Sequence, residues 1–208
     1  MSQYLRPRTP GACVYFTVAL ADPGADTLIR SVGALRAAVR QTLADRPFRI
    51  DAWVVLPDHM HCVWTLPPGD ADYSTRWSLI KARFSRTQNI SARRPSQIAR
   101  RERGVWQRRF WEHHLRSPAE INAAIRHCWT DPVRHGLVED PLDWDLSSIH
   151  RDLRPGWGNM PTGAALVTAP PLASLRTNGL TRMALSVDPL QRQNAAQTRG
   201  SAAGGGTA

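Results

Sequence analysis

Apolar and polar positions along the chain fall into blocks with distinct periods. From about Cys13 to Leu20 the residues are almost continuously apolar or β-branched, and Asp22-Pro23-Gly24 closes the run, which predicts a first strand. Leu28, Val32, Leu35, Val39 and Leu43 recur at helical spacing and predict one helix from about Asp26 to Asp45, with Leu28, Val32, Leu35 and Val39 facing inward; Pro47 blocks its continuation. Phe48 to Leu56 and His59 to about Leu66 are two further strand-like stretches, and the Pro57-Asp58 signal between them predicts a β-hairpin. The resulting order is β-α-β-β.

A break at Pro67-Pro68-Gly69 follows, after which Ser74 is a candidate cap for a helix bearing Trp77, Leu79, Ile80 and Phe84, with Lys81, Arg83 and Arg86 on or beside its polar side. Val105 to Leu115 alternates as a strand with aromatics interleaved among arginines. Ser117 and Pro118 open a last helix through Ile121, Ala124, Ile125 and Cys128, which Asp131-Pro132 is expected to end or kink. Residues 1–11 read as a polar arm carrying Arg6 and Arg8, and 87–104 as an arginine-rich loop that meets phosphates or is simply solvated. Beyond about Gly156 the composition turns to Ala, Gly, Thr, Pro and Gln without periodicity, as in a disordered tail. The expectation is one domain over 1–155 and a tail over 156–208.

Charge changes the picture more than composition does. The 208 residues are 42% hydrophobic, ordinary for a folded protein, yet Lys+Arg 27 against Asp+Glu 17 gives a net charge of +10, and Lys81 is the only lysine. Arginine's planar fork suits phosphate and guanine, so a nucleic-acid partner is the leading inference; an arginine bias of the source genome is the alternative. Cys13, Cys62 and Cys128 lack paired spacing and read as reduced core residues of a cytoplasmic protein, and no run is long enough for a membrane span.

Chemistry concentrates in His59-Met60-His61. Side chains alternate along a strand, so the two imidazoles share a face roughly 6 to 7 Å apart while Met60, Cys62 and Trp64 take the other. Either they hold a divalent ion with further ligands, or they are two half-exposed histidines on a sheet.

The chain resembles the REP-associated tyrosine transposases of bacteria, single-tyrosine members of the HUH endonucleases. The likeness spans about Tyr4 to Arg154 and rests on Trp53 to Pro67 with its Pro57-Asp58-His59-Met60-His61 centre, on Arg76-Trp77-Ser78-Leu79-Ile80-Lys81, on Trp106-Gln107-Arg108-Arg109-Phe110-Trp111-Glu112-His113, and on Asp131-Pro132-Val133-Arg134-His135-Gly136 with Ser147-Ser148-Ile149-His150-Arg151. This resemblance implies a ferredoxin-like α/β domain, Mg²⁺ or Mn²⁺ on His59 and His61, and action on single-stranded or hairpin REP-like DNA; it leaves a homodimer open. A tyrosine phenolate attacks the scissile phosphate in the family. There the tyrosine precedes the Asn of an Asn-Pro-Val-Lys/Arg-x-Gly motif by four residues.

At both places this sequence departs from the pattern. Asp131 stands where the Asn would be and, as a carboxylate, is the expected third ligand. His127 stands at the tyrosine's position, and no tyrosine occurs after Tyr73. His127 is therefore a replacement nucleophile, a bystander or an added ligand. His135 and His150 read as satisfied surface or core histidines. For DNA contact the expected residues are Arg6, Arg8, Lys81, Arg83, Arg108 and Arg109. Three functions follow: a transposase-family protein that binds hairpins but has lost efficient strand transfer, a metal-dependent nuclease using activated water, or a non-catalytic DNA-binding regulator.

Overall fold

A computed structural model of the chain describes residues 7–89 and 104–153. The elements are β1 (Cys13–Ala19), α1 (Thr27–Arg30), α2 (Val32–Asp45), β2 (Arg49–Val55), β3 (His59–Thr65), α3 (Tyr73–Arg86), β4 (Trp111–Leu115), α4 (Pro118–Arg134), a 3₁₀ turn (Pro141–Asp143) and α5 (Ile149–Asp152). Every strand pairing is antiparallel, in the order β2-β3-β1-β4, which is the ferredoxin-like α/β arrangement expected from the motifs.

Strand alternation divides the core between the two faces of the sheet. On one, Val14, Phe16, Val18, Met60, Cys62 and Trp64 pack against α2 and α3, with the Trp64 and Trp77 rings stacked at 4.3 Å. On the other, Tyr15, Ala52, Val54 and Val63 pack against Ala124, Cys128 and Trp129 of α4 and Ile149 of α5. In β3 the same parity that sends Met60 and Trp64 into the first core turns His59 and His61 toward α4. The register sets Ala19 opposite His59 and Thr17 opposite His61.

Four local expectations shift. The helix foreseen over 26–45 breaks at Ser31 (φ −111°, ψ 25°) into α1 and α2, and the Ser31 hydroxyl donates to Gln88 Oε1 (3.2 Å). The cap of α3 is Asp72, whose carboxylate accepts from the Thr75 amide at 3.0 Å, so Ser74 lies inside the helix. Strand β4 starts only at Trp111; upstream, Trp106 makes an isolated bridge to Leu20. Finally, α4 passes through Pro132 to Arg134. Proline deletes one helical amide near the end, and the last turn is closed by Gly136 (φ 65°), with Gly136 N donating to Val133 O (2.9 Å) and Leu137 N to Pro132 O (2.9 Å). The Ser117 cap stands as expected, accepting from the Glu120 amide.

Arg76 of α3 is 1% exposed and clamps the loops beside the helix. It donates to the carbonyls of Arg46, Pro47 and Asp72 and pairs with Asp70 at 2.6 Å. The expected arm residue Arg6, most of the arginine-rich loop and the tail lie outside the described residues. No helix among the described residues is long and apolar enough to cross a membrane.

Candidate metal centre

His127 and Asp131 are one helical turn apart on α4, and His135, its C-terminal cap residue, is one turn further. That stripe faces the histidines of β3. Around Asp131 Oδ2 lie the Nε2 atoms of His61 at 3.1 Å, His135 at 3.5 Å and His59 at 3.8 Å, while His127 Nε2 is 3.7 Å from Oδ1. Ligands held about 2.1 Å from one ion stand roughly 3 to 3.5 Å apart, so these separations suit a shared cation. Two overlapping donor groups result, His59-Asp131-His135 and His61-His127-Asp131. His59, His61 and Asp131 are all buried, not half-exposed on a sheet surface.

The far side of each strand imidazole is held. His59 Nδ1 is 2.6 Å from Asp58 Oδ1, and the other oxygen of Asp58 accepts from the Gly24 amide at 3.0 Å. His61 Nδ1 is 2.6 Å from the Tyr15 hydroxyl and 2.9 Å from Thr17 Oγ1. Holding Nδ1 in this way fixes each ring with its Nε2 atom turned inward, the arrangement that orients histidine ligands at metal sites. Asp131 Oδ2 is buried without a hydrogen-bond partner among these neighbours, an orphan that a cation would satisfy.

The charges agree with that geometry. Burial alone would raise the Asp131 carboxyl, but His61 and the other imidazoles outweigh it and hold the group well below the usual carboxylate range. Burial likewise works against charge on His59, yet the carboxylates of Asp131 and Asp58 raise it to about 9. Burial lowers His61 and His135, and lowers His127 to about 3 with help from neighbouring His61.

The structure thus gathers His59, His61, Asp131 and His127, and adds two residues that sequence reasoning missed. His135 is a member of the cluster rather than a satisfied bystander, and the spacing of four in 127-131-135 was its visible signal. Tyr15 carried no local signal, because only the β1–β3 register brings it to His61. His150 lies elsewhere, its Nε2 3.1 Å from the Trp144 carbonyl oxygen. Of the residues expected to touch DNA, Lys81 donates to Gln107 O (3.0 Å) and sits over the Trp106 and Phe110 rings, on the sheet face opposite the histidines. Arg83 is tied to Asp45 and Thr42. Arg8, Arg108 and Arg109 are exposed.

Comparison with known proteins follows the same motifs. No family model matches the chain. It is 39% identical over 156 residues to the REP-associated tyrosine transposase of Escherichia coli (strain K12), covering 75% of this chain and 87% of that protein. A putative REP-associated tyrosine transposase of Haemophilus influenzae is 36% identical over 168 residues, 77% of this chain and 96% of that one. Among solved structures, a REP-associated tyrosine transposase bound to a REP hairpin is similar with a TM-score of 0.65 at 37% identity, over 78% of this chain and 97% of that chain.

Proposed function

Since the chain belongs to the family of REP-associated tyrosine transposases, we propose that it binds single-stranded or hairpin DNA of REP type beside a divalent ion on His59, His61 and Asp131, with covalent strand transfer impaired. The observation that carries this reading is the convergence of two imidazoles, each held at Nδ1, on the orphaned Oδ2 of Asp131. A divalent ion there would polarise a phosphodiester for attack. Two imidazole nitrogens and a carboxylate favour Mn²⁺ over Mg²⁺, which prefers an all-oxygen shell.

Impaired transfer is supported by what stands beside the cluster. By the resemblance of Asp131-Pro132-Val133-Arg134 to the family motif, His127 stands where the family's tyrosine is expected. Tyr15 is the nearest tyrosine among the described residues, but its hydroxyl is engaged at His61 Nδ1, on the side of the ring turned away from Asp131. Tyr73 donates to the Pro7 carbonyl across the sheet. The test is a labelled REP-type hairpin incubated with the protein and Mn²⁺. Binding without an SDS-resistant protein–DNA adduct is the expected outcome; an adduct would refute the loss of covalent chemistry. Cleavage without an adduct, abolished by His59→Ala, would instead mark a nuclease that uses water. Hairpin affinity indifferent to chelator and to His61→Ala would mark a regulator with structural histidines.

A further inference from the structure

Resting on that reading, we propose that His127 is neither ligand nor nucleophile but a hydrogen-bond donor, aimed by Arg134 at a non-bridging oxygen of the DNA phosphate held beside Asp131. The argument turns on which nitrogen carries the proton. Arg134 Nη1 lies 2.8 Å from His127 Nδ1, two helical turns along α4. A guanidinium has donors only, so Nδ1 must offer its lone pair. An imidazole that accepts at Nδ1 is neutral, and its one proton then sits on Nε2.

That nitrogen points toward the cluster. It lies 3.7 Å from Asp131 Oδ1, too far for a hydrogen bond, and the His127 ring is 5.1 Å from that of His61. His59 is the opposite case: its Nδ1 faces the Asp58 carboxylate, an acceptor, so Nδ1 keeps its proton and Nε2, which faces Asp131, is the nitrogen that can yield its proton to a metal ion. The two imidazoles meet the same carboxylate with opposite capacities: Nε2 of His59 can be freed as a lone pair, and Nε2 of His127 cannot while its Nδ1 faces a guanidinium. A lone pair can take a metal ion; an N–H can take only an acceptor. With its side chain 17% exposed, His127 is reachable by an incoming strand, and the acceptor that a metal centre in a DNA-binding protein meets is a phosphate oxygen. Where the family places an attacking hydroxyl, this chain places an N–H. Arg134 is the positioning residue that keeps it so.

Three measurements test this on the full chain. Long-range ¹H–¹⁵N spectra of the metal-free protein should show His127 as the Nε2–H tautomer, a mixture in Arg134→Met, and the Nε2–H form again in Arg134→Lys, which restores a donor. A Nδ1–H form in the unmodified protein would overturn the proposal. Mn²⁺ titration calorimetry should find His127→Gln within about twofold of the unmodified protein, whereas a ligand's loss would weaken binding far more and overturn it. In fluorescence anisotropy with a REP-type hairpin and Mn²⁺, His127→Phe should weaken binding by about fivefold or more, as expected for one hydrogen bond to a charged acceptor; unchanged affinity would overturn it. If the unmodified protein itself fails to bind the hairpin, the functional reading falls, while the tautomer and metal arms still decide between donor and ligand.

Discussion

In the proposed metal centre a proton and a metal ion would compete for one lone pair of His59. The carboxylates of Asp58 and Asp131 raise this imidazole to about 9, against an unfolded value of 6.5. Its contribution to stability is therefore complete below about 6.5 and is lost as pH rises through 9, because the folded state binds the extra proton in that window. Metal binding has the opposite sign: each ion bound must displace that proton, so Mn²⁺ affinity is expected to climb between pH 6.5 and 9 with proton release. Calorimetry in buffers of different ionisation enthalpy measures both, and a flat profile would contradict the assignment. Asp58→Asn removes the anion behind Nδ1 and should weaken Mn²⁺ binding by about 10- to 100-fold, as loss of an outer partner does at histidine metal sites.

Elements decide how firmly those residues are presented. Strand β3 is rooted by Met60, Cys62 and Trp64 on its far face, and α3 beneath that face depends on Arg76. Replacing this guanidinium leaves the Arg46, Pro47 and Asp72 carbonyls without their donor and Asp70 without its partner. Arg76→Met is expected to cost about 3 kcal/mol in urea denaturation, the order expected for losing three charge-assisted hydrogen bonds to carbonyls around a buried guanidinium. A loss below about 1 kcal/mol would show that water replaces the clamp. The family-like segment around Arg76 therefore serves the fold, while the basic residues further along α3 meet protein groups: Arg83 meets Asp45, and Lys81 meets Gln107 and two aromatic rings.

For the whole molecule a net charge of +10 bears on association with anionic partners rather than on the fold. Arg108 and Arg109 are exposed beside β4. If they meet phosphates, neutralising both should lower the slope of log affinity against log salt by about 2, read by anisotropy across a salt series. An unchanged slope would place the DNA elsewhere. Arg83 offers a poorer probe, because its removal also strands Asp45.

Much of this was legible in the chain itself. Alternation alone put His59 and His61 on one face and Met60 and Trp64 on the other, Pro57-Asp58 marked the hairpin, and Ser117-Pro118 marked the start of α4, since each depends on neighbours within a few residues. Less was legible where distant segments meet. Nothing local marks Tyr15 as the partner of His61, forty-six positions away, or tells that the proline at 132 leaves the helix intact long enough to bring His135 to Asp131. The identity of His127 was plain in the sequence; the polarity of its ring was not. That polarity follows from Arg134 standing 2.8 Å from Nδ1, and a tautomer is set by what surrounds the ring, which only the folded helix supplies.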